Sequence, residues 1–299
     1  MAVALGVAYA AAQFAGQNAF LDNLSNFPVH FAAGFLASAA VLTALKSRAW
    51  ALACAAAAAL AIAPVVPWYF GPAAGPTDAA RPQVKLLVSN VRLTNQQRDR
   101  LKRLVAQESP DVVGLIEVNS AWLRELQSLR SGYAHHFEVP SEGFAGFALY
   151  SRLPIEGARI MQVAGSTPAI AAKLKTASGE IEIILAHPTS PLNAEFIRLR
   201  NEQLLALAQY VGAAQGPVVL AGDLNLTMWN RGYRPLADVG GLQNARDGHG
   251  VGPTWPYTGW LGVPIDHVLA TPDVALRNFR VLDAIGSDHL PISAEFSLR

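Results

Sequence analysis

Between residues 1 and 80 the only charged side chains are Asp22, Lys46, Arg48 and Asp78, and nearly all the other acids and bases of this 299-residue chain follow them. Such a boundary divides a chain into two physical classes. The sequence as a whole is 52% hydrophobic and 15% charged, so the apolar excess is concentrated before the boundary. Three apolar segments lie there. Residues 27–45 and 50–70 are each long enough to cross a hydrocarbon core, which takes about 20 helical residues. Residues 1–15 are shorter and would have to run on through Gln17-Asn18 to span. A signal peptide is the competing reading of this first segment. It lacks a basic n-region, however, and Ala8-Tyr9-Ala10 comes early for a cleavage site. The expectation is a membrane anchor of two to three transmembrane helices over residues 1–70.

Lys46 and Arg48 lie between the second and third segments, and basic residues in a short loop favour the cytoplasmic side. The third segment then runs outward and ends in Trp68-Tyr69-Phe70, aromatics suited to a membrane interface. Everything beyond is expected on the extracytoplasmic side of an inner (plasma) membrane. Cys54, the single cysteine, falls inside an apolar segment, so disulfide and thiol chemistry are excluded from the rest. His30 has no acidic neighbour in sequence and reads as an interfacial residue.

Residues 71–82 are rich in Gly, Pro and Ala and read as a linker. The roughly 215 residues that follow, 83–299, suffice for one large domain with a sizeable core. No solenoid repeat is evident. Strands are expected at 85–88, 112–116, 181–186, 218–221, 263–269, 279–281 and 292–296. Helices are expected at 95–107, 122–129 and 194–211. The short alternating runs 146–150, 158–163 and 170–174 suggest antiparallel hairpins. Strand-rich halves with flanking helices point to an α/β sandwich of two sheets face to face, helices outside.

Within that domain Val218-Val219-Leu220-Ala221-Gly222-Asp223-Leu224-Asn225 reads as a buried strand that stops at a glycine and delivers an acid and an amide. Residues i and i+2 of an extended segment share a face, so Asp223 and Asn225 point into one space. A cap at the strand end would use the same residue types. Acid and imidazole adjoin again in Ile265-Asp266-His267 and Gly286-Ser287-Asp288-His289-Leu290-Pro291. Asn90, Glu117 and His187 also end apolar runs. In α/β folds, polar residues at strand ends converge on one rim, where ligands bind. Carboxylates without thiols make a hard-oxygen site that favours Mg²⁺ or Mn²⁺. A divalent ion, a carboxylate base, imidazoles paired with acids and amide donors are what attack of water on a phosphate ester needs.

In order along residues 85–298 stand Ser89-Asn90-Val91, Pro110-Asp111-Val112-Val113-Gly114-Leu115-Ile116-Glu117, Tyr150-Ser151-Arg152-Leu153-Pro154, His187, Gly222-Asp223-Leu224-Asn225, Pro264-Ile265-Asp266-His267 and Ser287-Asp288-His289-Leu290-Pro291. This series resembles the endonuclease/exonuclease/phosphatase superfamily, whose fold is that of deoxyribonuclease I. The apolar segments ahead of it, with Pro253-Thr254-Trp255-Pro256, resemble a membrane-anchored bacterial branch. The resemblance implies that Glu117 ligates a catalytic divalent ion, with Asn90 beside it and Asp288 near it. It implies that Asp223 orients or deprotonates the attacking water and that Asn225 donates to phosphoryl oxygens. His289, held by Asp266, would contact the scissile phosphate, and His187 a non-bridging or leaving oxygen. His267 alternates to the face opposite Asp266 and is left out. Arg198 or Arg200 is a candidate phosphate ligand, against a solvated helix surface. Met228-Trp229-Asn230 departs from that branch, which more often has a proline and a serine there; the departure is expected to alter loop shape alone.

The expected function is therefore a membrane-anchored, divalent-metal-dependent phosphoesterase acting on a phosphodiester or phosphomonoester. Beyond residue 80, acids and bases nearly balance and no Lys/Arg-rich run occurs, which argues against a strong grip on nucleic acid. Nucleic acid and a lipid head group both stay open as substrates, the bilayer being the other partner. The alternative class is a non-catalytic membrane protein that binds phosphorylated ligands through the same fold; it would fit loss of a metal ligand or of the Asp–His pair, and every member is present.

Overall fold

Alternating apolar side chains build two six-stranded sheets whose inner faces share one core. The computed structural model describes residues 2–13, 18–71, 82–165 and 167–299. The first sheet joins β11 (Val274–Val281), β12 (Ile292–Leu298), β1 (Val84–Asn90), β2 (Val112–Ile116), β4 (Phe147–Ser151) and β3 (His135–Val139), in that order. The second joins β5 (Ile155–Gln162), β6 (Pro168–Thr176), β7 (Gly179–Ala186), β8 (Val218–Asp223), β10 (Asp266–Ala270) and β9 (Gln243–Asn244). Leu86, Val88, Ile116 and Leu149 meet Ile183, Leu185, Val219 and Val268 between them. On the outer face of the first sheet, α5 (Arg98–Glu108) and α6 (Ser120–Leu126) pack through Leu101, Leu104 and Trp122. On the second, α7 (Ala194–Gly212) and α8 (Tyr233–Gly240) pack through Leu204, Leu207 and Leu236. This is the expected two-sheet α/β sandwich, with the hairpins where alternation placed them. Strand β3, His135-His136-Phe137-Glu138-Val139, escaped sequence reading because it lies at a sheet edge, half-exposed and without a buried face.

Two parallel pairs set the geometry of one rim. Helices α5 and α7 cross over between β1 and β2 and between β7 and β8, as parallel strands require. All four C-terminal ends therefore face the same way. In register, Asn90 lies opposite Ile116, so Glu117 emerges next to it. Ala186 lies opposite Gly222, which brings His187 level with Asp223. Strand β10 runs antiparallel and sets Asp266 directly across from Asp223. Gly222 is required here: its φ is 144°, and a Cβ would sit 2.0 Å from the Ala186 carbonyl oxygen.

The N-terminal segments differ from expectation. They form α1 (Ala2–Gln13), α2 (Ala19–Leu24), α3 (Pro28–Ala44) and α4 (Arg48–Ile62). Among the described residues no helix is long and apolar enough to cross a membrane. The 17 residues of α3 rise about 25 Å at helical pitch, short of a hydrocarbon core of about 30 Å. Pro28 starts α3, and Lys46, at φ 59°, turns the chain after it. Helix α4 stops at Ile62 because Pro64 and Pro67 follow, and the chain tightens into a 3-10 turn, Val66–Tyr69. The expected linker falls almost wholly on residues 72–81, outside the described residues, as do residues 14–17, through which the first segment was to continue.

Helix α2 docks on the sandwich. Arg200 of α7 donates from both terminal nitrogens to Asp22, at 3.0 and 3.2 Å, and from Nη1 to the Asn225 carbonyl at 3.2 Å. This ion pair is buried, with the arginine side chain 0% exposed. Arg200 is thus neither a phosphate ligand nor on a solvated surface; it fastens the N-terminal region to the β8 loop. Asn26 extends the joint, its Oδ1 accepting from the Thr227 amide and hydroxyl at 3.1 and 2.9 Å and its carbonyl from the Trp229 indole at 3.1 Å. Asn230 donates to Ser25 Oγ at 3.0 Å. Met228-Trp229-Asn230, expected to alter only loop shape, is where the N-terminal region is received. Removing one partner of a buried pair strands the other charge, so Arg200→Ala is expected to lower unfolding free energy by about 3–5 kcal/mol. Arg198→Ala, on the exposed face of α7, is expected to change it little. Denaturant unfolding of the two variants checks this.

Candidate active site

At the rim formed by β1, β2, β7, β8 and β10, polar groups converge on one oxygen. Asp223 Oδ2 lies 3.2 Å from Asn90 Nδ2, 3.4 Å from His187 Nε2 and 3.5 Å from His289 Nε2. Asp223 Oδ1 accepts the Asn225 amide at 3.0 Å. Asn90 Nδ2 also donates to Glu117 Oε1 at 2.8 Å, and Glu117 Oε2 accepts the Leu93 amide at 3.1 Å. Glu117 and Asn225 both hold left-handed backbone, φ 63° and 55°. That conformation is strained for a glutamate, and strain of this kind gathers at functional sites.

Each imidazole is oriented from behind. His187 Nδ1 lies 3.0 Å from the Phe144 carbonyl, so that nitrogen carries the proton and Nε2 faces the carboxylates. His289 Nδ1 lies 2.9 Å from Asp266 Oδ2. Ser287 Oγ donates to the Asn90 carbonyl at 2.8 Å and accepts the His289 amide at 3.1 Å, which ties the last loop to β1. Burial opposes charging of His289, but Asp266 and Asp223 outweigh it and push the imidazole up to about 10. Burial likewise opposes charging of His187, and the bond to Asp223 prevails and raises it. For Asp223, burial works against ionisation while His289 and His187 favour it; the imidazoles win and hold the carboxyl well below its ordinary range.

The structure therefore brings together Asn90, Glu117, His187, Asp223, Asn225, Asp266 and His289. Asp288 stands apart at the rim, its side chain 38% exposed, accepting the Trp255 indole at 3.3 Å, with Arg92 Nε at 3.8 Å. Arg198 is exposed and paired with Glu202 at 2.6 Å, and it does not line the cleft. His267 is buried on the far face of β10, bonded to the Leu226 carbonyl at 2.9 Å and to Asn244 at 3.3 Å. Sequence reading missed Arg246. It is fully buried behind β10, donates to the Asp266 carbonyl at 2.8 Å and covers the Phe279 ring at 4.4 Å. Nothing in its local sequence marks it, since it comes from a loop whose position tertiary packing decides.

Glu117, His187, Asp223, Asn225, Asp288 and His289 open onto a cleft of about 420 Å³. Among the described residues no lysine or arginine lines it. Carboxylates gathered where all donors are oxygen or imidazole nitrogen fit a hard divalent ion. Glu117, with Asn90 beside it, presents such oxygens to the cleft. Asp223, Asp266 and His289 also bring ligand atoms within 4.8 Å of one another. In that trio, however, the Asp266–His289 contact is a hydrogen bond that already holds a proton.

The family model described as "Endonuclease/Exonuclease/phosphatase family" matches residues 87–289, which contain every residue of this site. The chain belongs to the endonuclease/exonuclease/phosphatase family. It is accordingly a metal-dependent hydrolase that acts on ester bonds. Solved structures agree on the fold. A humanized D. rerio TDP2 is 19% identical, covering 72% of this chain and 99% of that one with a TM-score of 0.61. An endonuclease/exonuclease/phosphatase from Beutenbergia cavernae is 22% identical, over 73% and 72%, TM-score 0.61. The human Nocturnin catalytic domain, solved with a bound sulfate anion, is 22% identical, over 74% and 96%, TM-score 0.60. Comparison with curated protein sequences finds no match.

The buried His267 gives stability a pH dependence. Burial, and then the Arg246 charge, lower it to about 3, below an unfolded value of about 6.5. Its contribution is complete above pH ~6.5 and is lost as pH falls toward 3, with a limiting slope of about 1.4 kcal/mol per unit. Between pH 6.5 and 5, urea midpoints of the parent are expected to fall relative to those of His267→Gln.

Proposed function

We propose that the chain hydrolyses a phosphoester by attack of water on phosphorus, with Mg²⁺ or Mn²⁺ held at Glu117 and Asn90 and with Asp288 at the outer edge of that position. The convergence of Asn90, His187 and His289 on Asp223 Oδ2 carries this reading. When bound, the ion neutralises charge on the phosphoryl oxygens and makes phosphorus more electrophilic. Asp223, kept ionised by its imidazole neighbours, orients the water and accepts its proton. His289, kept charged by Asp266, donates from Nε2 to a phosphoryl oxygen, where negative charge grows in the transition state. His187 donates to a non-bridging or leaving oxygen. Asn225 gives one N–H to the Pro188 carbonyl at 2.9 Å, and the other is available to the phosphate.

We further propose that the N-terminal helices lie in a lipid bilayer, with the catalytic domain on the extracytoplasmic side of an inner (plasma) membrane. Leu36, Val41, Leu45, Trp50, Leu52 and Leu60 are exposed on α3, α4 and the turn between them, and no charge interrupts either helix beyond Arg48. Apolar surface of that extent needs an apolar medium.

The chemistry is tested with purified full-length protein and a chromogenic phosphodiester. Turnover is expected with Mg²⁺ or Mn²⁺ and none with chelator, and Asp223→Ala and His289→Ala are each expected to lower kcat by about 100-fold or more. Turnover that survives chelator, or variants within a few-fold of the parent, would contradict it. Fractionation of expressing cells, with protease added from outside to spheroplasts, tests the location. The protein is expected in the membrane fraction, with the catalytic domain cleaved.

A further inference from the structure

The chemical groups supply only part of the cleft lining. An apolar wall comes from the N-terminal region and three surface loops, with Phe27, Phe144, Leu192, Trp255, Val263 and Ile265. Apart from Trp255, whose indole donates to Asp288, phosphoester hydrolysis alone gives these side chains nothing to do. This wall is fixed in place. Asn23 donates to the Pro191 carbonyl at 2.9 Å, beside Leu192, and the buried Asp22–Arg200 pair holds α2 down. The Phe144 carbonyl that orients His187 belongs to a residue whose ring is 68% exposed at the mouth, and Leu192 is 76% exposed. Apolar side chains this exposed, beside a buried catalytic imidazole, mark a binding surface.

The apolar wall continues away from the site. A second cavity, of about 180 Å³, shares Asn26 and Val263 with the first and is bounded by Val29, His30, Trp229 and Trp260. Trp260 is 77% exposed, and its carbonyl is tied to His30 Nε2 at 2.6 Å. Phe27, in the cleft wall, immediately precedes Pro28 and the apolar surface of α3. Apolar side chains thus continue from the cleft lining toward the uncharged helices. In contrast, no lysine or arginine among the described residues lines the cleft. A polyanion would meet Arg92, 3.8 Å from Asp288 at the rim, and no row of cations to neutralise successive phosphates along the cleft lining.

We propose that the substrate is a phosphoester of a long-chain, lipid-like alcohol, with its phosphate in the cleft against His289 and Asp223 and its chain along Phe27, Phe144 and Leu192. This rests on the phosphoesterase reading and narrows it to amphipathic substrates. Entry is from the side of the N-terminal helices. The apolar wall contributes binding that grows with chain length, and the reacting centre stays the same.

The test is a homologous series of p-nitrophenyl alkyl phosphodiesters, methyl, butyl, octyl and dodecyl, each below its critical micelle concentration, with full-length protein and Mg²⁺. An oligonucleotide is assayed beside them. The expected result is kcat/KM rising about two- to fourfold per methylene from butyl to octyl. In Leu192→Ser and Phe144→Ser, which alter exposed side chains and spare the core, the octyl-to-methyl ratio is expected to fall toward one. Equal turnover of all chain lengths, or a preference for the oligonucleotide, overturns the proposal and leaves a phosphoesterase. A chain-length slope unchanged in both variants also overturns it, since the slope would then reflect partition into detergent. If no ester turns over, methyl included, the phosphoesterase reading itself falls, and this one with it.

Discussion

A single buried carboxylate oxygen, Asp223 Oδ2, must be kept negative in a place where burial alone would protonate it. Most of the fold around the cleft serves that end. Two imidazoles and an amide surround the oxygen at 3.2 to 3.5 Å. Each of those groups is in turn fixed by a different element: His187 by the Phe144 loop, His289 by β10, Asn90 by the pairing of β1 with β2. The site is thus a product of strand register. A slip of one residue between β7 and β8 would turn Asp223 to the other face and remove the hub. Gly222 secures the register, because the two backbones approach too closely for any side chain there.

The N-terminal region belongs to the cleft. Its α2 segment carries Asp22, one of the few charges before residue 80, and this charge is spent inside the protein on Arg200. Arg200 also holds the Asn225 carbonyl, so the loop that carries Asn225 and helix α2 are fastened by the same guanidinium. The polar rim and the apolar lining of the cleft therefore share one joint.

What the sequence disclosed and what it withheld differ by range of interaction. Strand-end polar residues were legible because alternation and glycine stops are local signals, and Asn90, Glu117, His187, Asp223, Asp266 and His289 gather as expected. The sandwich was legible for the same reason. Arg200 was not, since a helix surface facing solvent and one facing α2 have the same pattern in one dimension. Asp22, read only as an isolated charge, is its partner across 178 positions. Arg246 and the Asn26 contacts to the loop at residues 227–230 are equally long-range. Membrane-spanning length was over-read from composition: runs of apolar residues gave no account of where Pro28, Lys46, Pro64 and Pro67 would cut the helices.

The central claim is that Asp223 directs a water onto phosphorus. Hydrolysis of a phosphodiester in oxygen-18 water, with Mg²⁺ and the product analysed by mass spectrometry, tests it most directly. One labelled oxygen in the phosphate-bearing product, formed by the parent and not by Asp223→Ala, is the predicted result. Label in the alcohol, or the same labelled product at the same rate without the Asp223 carboxylate, would contradict it.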